Sequence, residues 1–146
     1  MGESLLSGRT MASTILRVRD VAASVEWYRD KLGLEPLHVG ADGSHPIAAY
    51  IIGGMVVSMW QLPDGQERRR EDSDTNSYVV AVVNGNVKRL HQEFQARGIE
   101  VAEYRESADN RFFWFYDPDH NRFEVAQPRT EAMEAAREAA ERAVSS

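Results

Sequence analysis

The residues best placed to do chemistry lie around one stretch. Five aromatic side chains, Phe112 to Tyr116, run into Asp117-Pro118-Asp119-His120-Asn121, and the segment that leaves carries Arg122 and Glu124 two positions apart. Strand side chains alternate, so Arg122 and Glu124 share one face while Phe123 and Val125 share the other. Ring surface beside one carboxylate and a guanidinium is the make-up of a small-molecule pocket, an apolar lining with a few orienting polar groups. Arg17, Tyr50, Trp60, Tyr78, Phe112 and Trp114 are the other side chains expected to line it. Covalent chemistry has little to work with. The chain has no cysteine, which removes thiolate catalysis, disulfides and cysteine-ligated metals together. No Ser-His-Asp constellation, phosphate-cradling glycine loop or dinucleotide fingerprint is present. His38, His45, His91 and His120 lack partners at metal-ligand spacing and read as surface or satisfied histidines.

The elements that must position these groups follow from periodicity. Ser13 to Arg19 reads as a strand, and Asp20 as the N-cap of a helix with Val21, Val25, Tyr28 and Leu32 on one stripe, closed by Gly33. A short strand, Glu35 to Gly40, precedes a turn at Ala41-Asp42-Gly43-Ser44. Strands Ile47 to Ile52 and Met55 to Leu62 then meet at Gly53-Gly54, a pair suited to a tight hairpin. Pro63 to Asn76 is charged and reads as a solvated linker. The pattern then repeats: strand Tyr78 to Val83, a turn and cap at Asn84-Gly85-Asn86, a helix striped by Val87, Leu90, His91 and Phe94, then Gly98 and more strands. The hairpin through Asp117 to Asn121 ends the repeat. Strand, helix and three strands, twice over, make an α+β domain. Leu16, Val18, Phe123 and Val125 are expected under the helices, leaving Ser13, Ile15, Arg17, Tyr78, Arg122 and Glu124 on the opposite side.

Residues 1–10 read as a flexible leader and 129–146 as a helical appendage, capped by Thr130 and lined by Met133, Ala136, Ala140 and Val144. At 146 residues and 42% apolar content, the chain is one domain with an appendage. A net charge of −6 argues against nucleic acid as the partner. No apolar run reaches membrane-spanning length and no secretion signal opens the chain, so a cytoplasmic location is expected.

Leu16-Arg17-Val18-Arg19-Asp20, Ser24, Trp27-Tyr28 and Leu32-Gly33 resemble the opening of the vicinal oxygen chelate superfamily, the glyoxalase, bleomycin-resistance and dioxygenase group. Asp117 to Asn121 with Phe123-Glu124 resembles its closing hairpin, in which glycine usually stands where this chain has His120. The resemblance spans residues 11–128. It implies two βαβββ modules, about 11–62 and 77–128, forming a half-open barrel around a cavity, often in a homodimer with modules exchanged. Relatives that use a divalent metal take ligands from the first and last strands of each module. By that resemblance only Glu124 stands at a ligand position. Ser13 and Tyr78 occupy two others, and Gln61 is the amide candidate in the first module's last strand.

The leading expectation is therefore a binding module with no metal or other cofactor, which sequesters an aromatic or cationic compound between aromatic side chains in a dimeric cleft. An enzyme, a glyoxalase-like lyase or dioxygenase with Glu124 helping to hold a divalent metal, is the alternative. A structural protein is the third reading, with Arg17 and Glu124 paired across the sheet and Trp60 and Trp114 as filler or subunit contact.

Overall fold

The computed structural model describes residues 13–64, 77–83, 85–128 and 131–145, without the side chains of 131–134 and 136–137. The leader, most of the charged linker, Asn84, the Thr130 cap, and the side chains of Met133 and Ala136 lie outside the described residues.

In the first module, β1 (Ser13–Val18) leads into α1 (Val21–Leu32), followed by β2 (His38–Asp42), β3 (His45–Ile52) and β4 (Met55–Gln61). The sheet order is β1-β4-β3-β2, with β1 parallel to β4 and the remaining pairs antiparallel. Asp20 caps α1 by accepting from the Ala23 amide at 3.0 Å, as its position predicts. Gly53 and Gly54, at φ 58° and 84°, make the β3–β4 turn, the left-handed pair that matches strand twist in a two-residue hairpin. The expected turn at 41–44 is shorter than its composition suggested. β2 runs to Asp42 and β3 begins at His45, which is thus a strand residue and not a loop one.

The second module repeats this with β5 (Val79–Val82), α2 (Val87–Ala96), β6 (Glu100–Val101), β7 (Arg105–Glu106), β8 (Asn110–Tyr116) and β9 (Arg122–Pro128). Its order is β5-β9-β8, with β6 and β7 both on the outer edge of β8. Where one edge strand was expected there are two pieces. Glu100 pairs with Tyr116 and Val101 with Phe115, but Arg105 pairs with Phe112, so one extra residue lies between them. A bulge of this kind reverses which side chains face which way. Val101 and Tyr104 both reach the core, and Arg105 turns to the other side.

Each helix covers one face of its own sheet. Leu16, Val18, Val57, Met59, Phe113, Phe115, Phe123 and Val125 are buried there against Val21, Val25, Tyr28 and Val87, each large apolar side chain contributing about 1.5–3 kcal/mol. The faces away from the helices stay open, and the two sheets do not close into a barrel. α3 (Glu131–Ser145) follows the second module, exposed at every side chain described, with Val144 lying against Gly54 of the first module's hairpin.

The hairpin tip joins the modules. Tyr28, fully buried on α1, donates its hydroxyl to Asp117 at 2.8 Å. Asn121 donates to the Arg17 carbonyl at 3.2 Å, and Asp119 accepts from both the Arg19 amide and its guanidinium, at 3.0 and 2.9 Å.

Candidate functional site

Register decides which of the expected residues meet. In the first sheet, Ser13, Ile15 and Arg17 of β1 share the open face with Ser58 and Trp60 of β4. Arg17 sits directly across from Trp60, its guanidinium 5.5 Å from the indole centre, and the His45 ring approaches the same indole at 6.4 Å. Arg17 does not pair with Glu124. Tyr50 is a correction: it lies on the helix-covered face, 1% exposed, 5.6 Å from the Tyr28 ring, and its hydroxyl has no hydrogen-bond partner among the described residues. Burial pushes that phenol up from its ordinary range.

The second sheet collects the rest. Phe112 and Trp114 of β8 face Ala126 and Glu124 of β9 across the hairpin, and Val80 of β5 lies next to Glu124. Trp114 donates its indole N–H to Glu124 at 3.1 Å, which fixes both groups. The Arg122 guanidinium is sandwiched, 4.3 Å from the Tyr78 ring and 4.4 Å from that of Trp114, and the side chain is 5% exposed. Phe112 adds a third ring, 6.3 Å from Trp114. Arg105 was missed in the sequence. The bulge brings it to this face, 5.9 Å over Trp114, and nothing in the residue pattern marks where an edge strand gains a residue.

The two modules align through their parallel pairs, Thr14 with Val57 in one and Val79 with Phe123 in the other. Ser58 is then the counterpart of Glu124, as Ser13 is of Tyr78. The four positions that the resemblance assigns to ligands thus hold two serines, a tyrosine and a glutamate. Ser13 and Ser58 bond to each other at 3.1 Å, and Glu124 is engaged by Trp114. Neutral hydroxyls are poor ligands for a transition metal beside a single carboxylate. Among the described residues no three His, Asp or Glu side chains converge. Gln61 is corrected as well: its side-chain oxygen accepts from the Val21 amide at 3.0 Å, so it caps α1. These donors do not fit a divalent ion of the kind relatives hold.

The histidines have structural surroundings. His91 bonds the Ala102 carbonyl at 2.8 Å and packs edge-on to Phe113, while His120 stacks on Tyr116 at 4.2 Å and lies 3.7 Å from Glu100. A separate cleft of about 200 Å³ lies where α1 begins, lined by Arg19, Asp20, Ala23, Ser24, Pro118 and Asp119. None of the expected ligand residues borders it, and its two carboxylates already accept hydrogen bonds from Ala23 and Arg19.

A family model described as the Glyoxalase/Bleomycin resistance protein/Dioxygenase superfamily matches residues 10–125. The chain is 27% identical over 105 residues to the uncharacterized protein YwkD of Bacillus subtilis (strain 168), covering 68% of this chain and 82% of that one. A glyoxylase/bleomycin resistance protein/dioxygenase domain from Frankia sp. EAN1pec has a similar fold, with TM-score 0.69 and 19% identity over 84% of this chain and all (100%) of that chain. So does the genomically encoded fosfomycin resistance protein FosX from Listeria monocytogenes, complexed with Mn(II) and sulfate ion, at TM-score 0.63 and 17% identity over 88% of this chain and 97% of that one. Identities this low bear on the fold alone.

Proposed function

The chain belongs to the Glyoxalase/Bleomycin resistance protein/Dioxygenase superfamily, and from that membership we propose that it holds a planar aromatic small molecule on its open sheet faces, without a metal ion. The observation that carries this reading is the ring cluster of Tyr78, Phe112 and Trp114, locked by the Trp114–Glu124 bond and the buried Arg122. A preorganised aromatic surface of this kind binds flat molecules by stacking and keeps little entropy to lose. Among the described residues it supplies no activated nucleophile and no convergent metal donors, so sequestration fits it better than turnover.

A second copy of the chain completes the site in this reading. Ile15, Ile51, Tyr78, Val80 and Val82 are all large side chains left more than a third exposed on the open faces. Apolar surface in contiguous strips is normally covered by a partner or a ligand. Light scattering on the full chain is expected to give twice the chain mass.

Metal content and ligand binding test the reading directly. Purified protein is expected to gain no thermal midpoint from added Mn²⁺, Zn²⁺ or Mg²⁺, and to show quenched tryptophan emission with planar aromatic compounds, a response lost in Trp114→Ala. A metal-specific rise in midpoint that disappears in Glu124→Ala would replace this reading with a metal-dependent enzyme, lyase or dioxygenase.

A further inference from the structure

The charges around Trp114 select the ligand's charge. We propose that the open face of the second sheet takes a planar anion, an arene bearing a carboxylate or a similar acidic group, with Arg105 as its ion-pair partner. This rests on the reading that the face binds a small molecule, and it sharpens that reading, because residue types alone left aromatic and cationic compounds equally open.

A cationic ligand would seek the electron-rich faces of Trp114 and Tyr78. Both are already in use: the Arg122 guanidinium is 4.4 Å from one ring and 4.3 Å from the other. An arginine does not lose its proton in a protein, so this positive charge is permanent. Arg105 adds a second, 5.9 Å from the same indole. Against them stands Glu124, whose carboxylate oxygen is occupied by the indole N–H at 3.1 Å. Glu100, across from Tyr116, lies at the hairpin-tip end beside His120, at 3.7 Å. The side chains in contact with Trp114 therefore carry two positive charges against one negative, in a chain whose net charge is −6.

Arg105 is the group free to respond. It is exposed, sits on the two-residue edge strand β7, and has no ion-pair partner among the described residues. Its looser approach to Trp114, compared with that of Arg122, leaves room for a flat ring to replace it on the indole while its guanidinium turns to the ring's acidic substituent in a bidentate contact. At separations near 6 Å in a half-buried site, one such charge changes affinity on the order of tenfold or more.

A matched set tests this: 2-naphthoate, 2-naphthalenemethanol and 2-naphthylmethylammonium, titrated into the full-length protein with tryptophan emission as the readout. The expected order is naphthoate tightest, about tenfold or more below the ammonium in Kd, with the gap narrowing as salt is raised. Arg105→Gln should bring the naphthoate-to-alcohol ratio close to one, and Arg105→Lys should keep most of it. Circular dichroism confirms that each variant folds. Ammonium or alcohol binding as tight as naphthoate overturns the charge assignment and leaves the aromatic site standing. Loss of the ratio in Arg105→Lys as well as in Arg105→Gln overturns the role of charge at this residue. No binding by any of the three overturns both readings.

Discussion

Tyr50 and His120 hold side chains that their positions do not suit, and each gives a measurable consequence. The Tyr50 hydroxyl is buried with no partner beside Tyr28 among the described residues, and an unsatisfied buried hydroxyl costs about 1–3 kcal/mol. Tyr50→Phe is expected to keep the ring packing and raise stability by about 1 kcal/mol in urea denaturation; a drop of that size would mean the hydroxyl is satisfied. His120 has φ 60°, a left-handed conformation in a residue with a Cβ, which costs about 1–2 kcal/mol. Its stack on Tyr116 compensates. His120→Ala loses the stack and keeps the strain, whereas His120→Gly loses both, so the glycine variant should be the more stable of the two by about 1 kcal/mol. Equal midpoints for the pair would show that the loop carries no strain. The faces of Arg17, Arg122 and Glu124 were legible because alternation in β1 and β9 separates apolar from polar side chains, and strand pairing carries Trp60 with Arg17 and Trp114 with Glu124. Alternation failed for Tyr50, since Ile47 to Ile52 is apolar on both faces and gives no sign of which one turns inward.

The strands and helices were legible where punctuation is strong. Asp20 and Asn86 cap the two helices, and Gly53-Gly54 turns one hairpin, as residue chemistry requires. The broken edge strand was not, because β6 and β7 are two residues each and the bulge between them depends on how Val101 and Tyr104 both find the core. Gln61 shows the same limit from the other direction. Its position on the last strand of the first module suggested a ligand, yet it reaches the first turn of α1, where Val21 has an amide with no intrahelical partner. Gln61→Ala leaves that amide without its acceptor in a half-buried place. A loss of about 1 kcal/mol is expected, within the range for such a bond, with no change in ligand affinity. Weakened ligand binding at unchanged stability would return Gln61 to the site.

Across the molecule, the modules are held in one unit by the hairpin tip, and the same contacts set how stability responds to acid. Asp117 is 2% exposed and accepts from the Tyr28 hydroxyl, the Asn121 side chain, and the backbone amides of Asp119 and Asn121. Burial pushes its carboxyl up from the ordinary value, against the hydrogen bonds from Asn121 and Tyr28 that pull it down. Burial, with the nearby Asp117 charge, also keeps the Tyr28 phenol well above its usual range and therefore neutral as a donor. A carboxyl raised in the folded state binds its proton more readily there than in the unfolded chain. Its contribution is present below the ordinary carboxylate value and is lost as pH rises through the folded one. Asp117→Asn retains an acceptor and removes this titration. The stability advantage of the parent over Asp117→Asn should therefore be larger near the ordinary aspartate value, about pH 4, than at pH 7, as read from urea midpoints at the two pH values. Because Tyr28, Arg17 and Arg19 all lie in the first module and Asp117 to Asn121 in the second, both proteins should still unfold in one transition. An advantage that shrinks on acidification would mean that the four donors outweigh burial, with the seam between the modules held by a carboxylate stabilised in its charged form.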